Sequence, residues 1–506
     1  MQVIDFVLKS FMPLREVEAC ANDCNTGKAN EIEIDDGSAT KQVKRLERFI
    51  DWLVRVSGSK YTFIFIQICL LVWAFLGIPF SNQALWPIFI SDVQAIISYI
   101  FDTLLMRQQL TGYADELEDI AKLRSRNASK ARMLHMLVNE KPDILTKAIN
   151  EKADVEEEEV TQEPLVERYL TKLAAFTGHI GFVGVFVLSI IVWLAFGPAN
   201  KWSNQWQLYI NSATSAWMVF LFSLLAVVRE GHSARSKKST QKLNQIDREI
   251  ERNLRTMTGD VKSNEPVLIV LPKQNLVQTV INVYAYIVGG LVGLFILIIV
   301  FAVWVAIGPV MSFNDNWWLL IGTYSGLIGM NDGFVLRNVQ HVIEMFESKQ
   351  FEQILEQDKE LLACIHTTSL DSEKVSLKEP NSFKSLSQRI STAVCNFTAH
   401  QMTVVIGFIS IIGMLVGASV MHWSLTGQLI CNVPPSIIES FFMQVLITGH
   451  MANDKRKQKD TLEALQYRSV LLQAIKRLEK DTTIISATEE KQDDLSDDIH
   501  VEEGSQ

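Results

Sequence analysis

YTFIFIQICLLVWAFLGIPFSNQALWPIFI, residues 61–90, contains no Lys, Arg, Asp or Glu. About 20 consecutive apolar residues cross a hydrocarbon layer of ~30 Å as a helix. This stretch holds one such run, a Gly/Pro turn and the start of a second. Comparable runs recur at 180–199, 284–310 and 402–421. The whole chain agrees: 506 residues, 48% apolar and 21% charged, with a mean hydropathy of +0.15. Length alone would suggest about three soluble domains of ~150 residues, and these runs exclude them. The chain reads as an all-α polytopic membrane protein.

The runs share offsets. Val72-Trp73, Val192-Trp193 and Val303-Trp304 close the first helix of three successive pairs. Gly77, Gly197 and Gly308 follow each Trp by four residues, then Pro79, Pro198 and Pro309; Gly58, Gly178 and Gly289 precede each Trp by fifteen. A fourth, decayed copy at 402–421 has Gly413 and Gly417 where Trp and Gly would stand. Fixed periodicity of this kind is the mark of an internal repeat. Aromatic residues at the turns (Trp86, Trp206, Trp318, Trp423) suit a membrane interface. Eight transmembrane helices are expected, as four parallel two-helix repeats: 61–80, 86–106, 178–198, 206–228, 284–309, 317–336, 402–421 and 426–449. The units run 44–135, 164–262, 274–364 and 384–480, between an N-terminal tail (1–43) and a disordered acidic tail (481–506).

All of the 47 Lys+Arg except Lys201 fall in the termini and the long connections. By the positive-inside rule those segments, and both termini, are cytosolic. Asn127 and Asn396 match glycosylation sequons but would then face the cytosol, so the matches are read as chance. Parallel repeats are related by an axis along the membrane normal; a pseudo-fourfold bundle and two pseudo-twofold pairs both satisfy this. Beyond the spans, Leu110, Tyr113, Leu117 and Ile120, then Leu243, Ile246, Ile250, Leu254 and Met257, keep helical spacing and read as cytosolic amphipathic helices. Stretches 151–163 and 366–383 read as disordered. The net charge of −10 comes from acidic tails, and no basic stripe interleaved with aromatics suggests nucleic acid. The six cysteines have no framework spacing; Cys20 and Cys24 read as a reduced pair in the tail. No signal peptide is recognisable.

The second helix of each pair is the polar one. Carboxylates at bilayer depth cost ~2.5–3.5 kcal/mol each on insertion scales, so they face the bundle interior. Asp92, Asn211, Thr323 and Asn432 share one register toward the outer side. Glu439 lies seven residues past Asn432, on the same face, and Asp102 and Asp332 lie toward the cytosolic end. Oxygen ligands at several depths suit a conducted cation, which must be bound and released in turn. Arg107, Arg229 and Arg337 read as interfacial anchors; His179, His422 and His450 divide between ligand and structural roles. Gly322, Gly326, Gly329 and Gly333 read as close-packing positions that also permit local unwinding. Oxygen donors without a Cys or Met stripe favour a borderline divalent metal over Cu⁺, though Mg²⁺, Ca²⁺ and K⁺ also fit such donors. No Walker A sequence is present, and neither an enzyme nor a bound cofactor is expected.

At SYIFDTLLMRQQL (from Ser98), WQLYIN (from Trp206), NWWLLIGTYSGLIGMNDGFVLR (from Asn316), GQLICN (from Gly427) and IIESFF (from Ile437) the sequence resembles the low-affinity iron(II) permease family, particularly its fungal members. The resemblance spans about 49–480. It implies a plasma-membrane importer of Fe²⁺ with loose selectivity extending to copper and zinc, whose partners are membrane lipid and the metal. It extends ligand candidacy to Asp92, Asp102, Asn211, Thr323, Tyr324, Asp332, Asn432 and Glu439. One departure is Ser440, where family members often carry a second carboxylate. Two other functions satisfy the same residues: a gated monovalent cation channel of pseudo-tetrameric plan, and a membrane sensor or scaffold working through its cytosolic helices.

Overall fold

The computed structural model describes residues 16–21, 38–80, 85–140, 164–366 and 386–502. The stretch 151–163 and nearly all of 366–383, together with Cys24, lie outside them. Strand β1 (Glu16–Ala19) precedes a sequence of helices in which a short helix, an apolar helix and a very long helix follow one another. These are α1 (Ser38–Ser57), α2 (Lys60–Phe80) and α3 (Leu85–Glu140); then α4 (Leu165–Thr177), α5 (Ile180–Phe196) and α6 (Asn204–Thr258). Strand β2 (Val267–Val270) leads to α7 (Leu276–Gly289), α8 (Leu291–Ile307) and α9 (Asp315–His366). Last come α10 (Leu386–Ala399), α11 (Gln401–Val420), the short α12 (Leu425–Ile430) and α13 (Val433–Glu502). Among the described residues six helices are long and apolar enough to cross a membrane, or up to eight if the bent pairs α4/α5 (52°) and α7/α8 (64°) each count as one span.

The fold is therefore mostly helical rather than purely so. Strand β1 pairs antiparallel with β2, Glu16 opposite Val270 and Ala19 opposite Val267. Ser125 on α3 ties the β2 side down by donating to the Glu265 carbonyl (2.6 Å), and Cys20 Sγ donates to the Asn264 carbonyl (3.1 Å). Part of the expected tail is thus built into the structure. At the other end α13 continues to Glu502, through residues expected to be disordered. That stretch lacks Gly and Pro, so nothing in it stops a helix already under way.

The hairpins repeat one turn. Lys201-Trp202, Ser312-Phe313 and His422-Trp423 take left-handed backbone, and the second residue of each donates its N–H to Gly197, Gly308 or Ala418. The aromatic ring folds back onto Gly197 and Gly308, where a Cβ would collide with Trp202 or Phe313. This register puts Ala418, not Gly417, in the place of the two glycines. Behind the turn Trp73 stacks on Trp86 (4.5 Å, 4°) and Trp304 on Trp317 (4.2 Å, 4°). In both pairs each indole N–H donates to the other's carbonyl. The partner in the third pair is thus Trp317 rather than Trp318, and Trp423 belongs to the turn.

The long helices pack in a ring, α3 on α6, α6 on α13, α13 on α9 and α9 on α3. The junction between each short helix and its apolar helix rests on the next long helix around that ring. Gly58 abuts Ala226 and Glu230 of α6, Gly178 abuts Thr448 of α13, and Gly289 abuts Met106 and Arg107 of α3. Ala399 closes the cycle by accepting from Asn338 Nδ2 of α9 (2.7 Å). The apolar helices α2, α5, α8 and α11 ride outside, exposing Phe65, Phe75, Leu188, Ile299 and Phe408.

The long helices run on past the apolar zone as a four-helix bundle. Met133, Leu134, Ile250, Leu254, Leu361 and Ile475 pack in its core, which explains the spacing seen along these stretches. One charged residue from each helix is buried at its axis. Lys130 Nζ meets Asp247 Oδ1 (2.7 Å), Arg468 Nη1 meets Asp247 Oδ2 (2.6 Å), and Arg468 Nε meets Asp358 Oδ2 (3.0 Å). Asn127 Nδ2, again on α3, closes the circle on Asp358 Oδ1 (2.9 Å). Positive and negative alternate around the ring of helices. Asn127, the sequon residue, is 2% exposed and so cannot carry a glycan.

Candidate functional site

The ring of α3, α6, α9 and α13 encloses a polar axis. At its outer end Gln428 Nε2 donates to Asn316 Oδ1 (3.2 Å) and to the Trp423 carbonyl (2.9 Å). Asn432 Nδ2 donates to Thr323 Oγ1 (3.0 Å). Gly322 leaves space in which Asn432 Oδ1 and Asp92 Oδ1 approach each other from opposite helices. Asn211 has other partners: its Nδ2 donates to Ser91 Oγ (3.0 Å), and its Oδ1 accepts from Ser436 (3.2 Å). The four residues of the expected outer register are all buried.

The fourth polar helix is broken at this level. α12 ends at Ile430 and α13 begins at Val433. Pro434 and Pro435 lack the N–H groups that would bond to the carbonyls of Ile430 and Cys431 four residues earlier. The Cys431 carbonyl faces Gly326. The glycines of α9 serve as close-packing positions without unwinding, for that helix is continuous from Asp315 to His366. The prolines across from it supply the break.

Deeper, Tyr99 and Tyr324 meet hydroxyl to hydroxyl (3.4 Å) with rings edge to face. Asp102, Asp332 and Glu439 then converge from α3, α9 and α13, exposed by only 0%, 0% and 1%. They lie near enough to feel one another's charge. Of their oxygens only Asp332 Oδ1 has a hydrogen bond of good geometry, from Tyr284 Oη (2.6 Å) on α7. Asp102 Oδ1 and Oδ2, Asp332 Oδ2 and Glu439 Oε1 and Oε2 have none among the described residues. Gln444 Oε1 and Ser440 Oγ are buried and unpartnered as well. Counting 1.5 Å per residue from Leu85, Asp92 lies ~10 Å and Asp102 ~25 Å along α3. Gly329 makes the deep site possible, because a Cβ there would lie 2.7 Å from Glu439 Oε1. Gly322 and Gly329, seven residues apart, thus receive Asn432 and Glu439, also seven apart.

Buried anionic oxygens without donors either hold protons or attract a cation. Among the described residues no three His, Cys, Asp or Glu side chains are gathered tightly enough to hold a metal ion by themselves. The arrangement is a ladder, with carboxylates spaced along an axis and neutral oxygens between them. Such a ladder passes a cation on more readily than it retains one.

Below it opens a cavity of about 640 Å³ lined by all four long helices, with Gln109, Arg229, His232, Glu347 and His450 in its wall. His232 Nδ1 lies 3.0 Å from His450 Nε2, the rings stacked. Burial pushes His232 down to about 3, helped by Arg235; burial and the neighbouring His232 also push His450 well below the usual imidazole range. Arg107 pairs with Asp51 (3.0 Å) near the surface, in keeping with an anchor. Arg229 and Arg337 instead turn inward, 8% and 2% exposed, Arg337 donating to the Cys395 carbonyl (3.0 Å). Packing of the short helices over the ends of the long ones closes their route outward. His179 caps α5 by accepting from Gly181 N–H, and His422 sits in a hairpin turn.

Residues 166–265 and 387–502 match the family model described as low affinity iron permease. The low-affinity iron/zinc ion transport protein of Schizosaccharomyces pombe is 34% identical over 431 residues, covering 85% of this chain and 72% of that protein. The low-affinity Fe(2+) transport protein of Saccharomyces cerevisiae is 31% identical over 463 residues, covering 85% and 83%. The chain belongs to the low-affinity iron permease family. No solved structure matches it.

In this permease seven of the eight expected ligand residues lie on the four ringed helices and Asn432 lies in the break between α12 and α13; Tyr284, Ser98 and Gln444 join them. Tyr284 falls in a helix that reads as part of an apolar span, so nothing in its local pattern marks it. Ser98 (0% exposed) and Gln444 (0% exposed) are legible as polar residues within a span, the same signal that marks Asp102.

Proposed function

We propose that this permease carries Fe²⁺, and with loose selectivity zinc and copper, inward across the plasma membrane at low affinity, along the axis between α3, α6, α9 and α13. The convergence of Asp102, Asp332 and Glu439 carries the reading. Five of their oxygens lack a donor of good geometry among the described residues, in a place where a passing cation would supply the missing charge. Asp92, Thr323 and Asn432 form the outer ligand layer, with the Cys431 carbonyl beside it; Tyr324 and Asn211 line the wall. Neutral Asn and Thr oxygens at the entrance compensate lost hydration weakly, which suits low affinity. An inside-negative potential drives the step, about 2.3 kcal/mol per charge per 100 mV, hence ~4.6 for a divalent ion.

Four units of short, apolar and long helix, at 44–135, 164–262, 274–364 and 384–480, form a pseudo-fourfold assembly of eight spans with both termini cytosolic. The cyclic packing of each junction on the next long helix supports this over two separate twofold pairs. So does the match of the family model to two stretches that begin in corresponding short helices. The spans would then lie between the hairpin turns and the short-helix junctions, with the four-helix bundle in the cytosol.

Purified permease in liposomes is expected to take up radiolabelled Fe²⁺, with Zn²⁺ competing, and to pass no K⁺ current. A K⁺ current without metal uptake would assign the protein to the channels instead. In the same assay Gly329→Ala should reduce uptake about tenfold, roughly 1.4 kcal/mol, because the methyl group displaces the Glu439 carboxylate. Gly333→Ala meets only Phe442 at an ordinary 3.5 Å and should transport normally. Equal uptake by the two variants would remove Glu439 from the path.

A further inference from the structure

The vestibule beneath the carboxylates contains a buried cation that no ion pair answers. Arg229 on α6 gives Nη2 to Gln109 Oε1 on α3 (3.2 Å). Its Nη1, and the Nε2 of the same Gln109, have no acceptor among the described residues. The two side chains are 8% and 9% exposed and line the cavity of about 640 Å³.

The acidic groups of the cavity wall are engaged elsewhere. Glu116 and Glu347 hold Lys457 Nζ (2.5 and 2.8 Å). Asp454 faces His232 (3.3 Å) and Arg235 (3.6 Å). Glu344 accepts from Gln340 Nε2 (2.7 Å) and acts on Arg229 only at longer range. The stacked histidines add no negative charge. A guanidinium kept from water without a counter-charge is strongly unfavourable, and two orphan N–H donors side by side ask for an acceptor.

We propose that this vestibule binds a small oxyanion, a carboxylate or a phosphate, through Arg229 Nη1 and Gln109 Nε2. One donor comes from each of two adjacent long helices, so the anion bridges them. Gln109 lies seven residues beyond Asp102, two turns further along the same face of α3. The anion therefore sits where a cation leaves the deep carboxylates. It offers the cation oxygen ligands and cancels the Arg229 charge that would oppose its exit. The handover, and the placement in the cytosol, rest on the function and orientation proposed above; the binding site does not.

Thermal unfolding of the purified full-length chain in detergent tests the site without using iron. Citrate and inorganic phosphate serve as probes, against sodium chloride at matched ionic strength. A saturable rise in the unfolding midpoint is expected with at least one probe, and which of them acts identifies the carboxylate or phosphate source. Arg229→Gln should weaken the apparent affinity about tenfold or more, as loss of a charge-assisted bond does. Gln109→Glu supplies a tethered carboxylate to Arg229, so it should unfold at a higher temperature without anion and no longer respond to it. That variant decides the matter if Arg229→Gln does not fold. A wild type that responds to neither probe beyond the chloride control, or an equal response in wild type and both variants, overturns the assignment. Failure of Fe²⁺ uptake with anion binding intact would instead count against the transport reading.

Discussion

Glu439→Gln is expected to lower Fe²⁺ uptake at subsaturating metal by about 100-fold, roughly 2.7 kcal/mol of lost stabilisation. Glu439 is 1% exposed, and neither of its oxygens has a donor of good geometry among the described residues, Ser98 alone lying near enough to act on it. The amide has nearly the same volume, so its packing against Gly329 survives. The charge does not, and an NH₂ donor enters a place built of acceptors. A structural carboxylate would behave differently, because removing it would leave its former donors orphaned and lower stability. Here no donor is orphaned, because Ser98 keeps its bond to the Gln94 carbonyl (2.9 Å), and a like charge leaves the neighbourhood of Asp102 and Asp332. The metal-free protein should therefore unfold at the same temperature or higher. Initial rates of radiolabelled uptake in liposomes, with unfolding midpoints measured on the same preparations, separate the two roles. Wild-type uptake, or a clear loss of stability, would return Glu439 to the scaffold.

The second large effect concerns the bundle and not the path. Arg468→Met should destabilise the protein by ~3–5 kcal/mol, the usual result of breaking a buried ion network from one side. Arg468 is 1% exposed and is the only bridge between Asp247 (0%) and Asp358 (2%) among the described ion pairs. Its loss leaves Asp358 with Asn127 alone, and Asp247 with Lys130 alone. Replacing Lys130, Asp247, Asp358 and Arg468 together by apolar residues of similar volume should cost far less, since all four desolvation penalties disappear with the pairs. Denaturant unfolding of the two variants checks the order. If the single substitution is as mild as the fourfold one, the ring is not a coupled network. The ring also sets register: sliding one long helix along its neighbours would bring like charges together. Spacing along the ladder depends on that register, because the same continuous helices carry both.

Much of this was legible along the chain. Charge-free runs disclosed the apolar helices, the Trp–Gly–Pro offsets disclosed the matching hairpins at Gly197 and Gly308, and the price of intramembrane carboxylates pointed Asp102, Asp332 and Glu439 inward. These readings need only one residue's chemistry or one helix's periodicity. The details that differ depend on backbone bonds and packing that residue type alone does not announce. At the fourth hairpin Gly417 is the visible cue, whereas the turn is defined by the backbone bond from Trp423 to Ala418. Arg229 and Arg337 resembled interfacial anchors until the short helices covered them. The glycines of α9 receive Asn432 and Glu439 as side chains without unwinding, while Pro434 and Pro435 break the neighbouring helix.

Sequence by itself determined that the chain crosses a membrane and that polar and acidic residues fall within its apolar stretches. Transfer free energies fix those points residue by residue, whatever the neighbours. Tertiary structure alone decided the cyclic order α3, α6, α13, α9, the gathering of three carboxylates from three helices, and the donor-lined vestibule that follows. Those depend on which helix lies beside which, and residues more than a hundred positions apart leave no periodic trace of that adjacency.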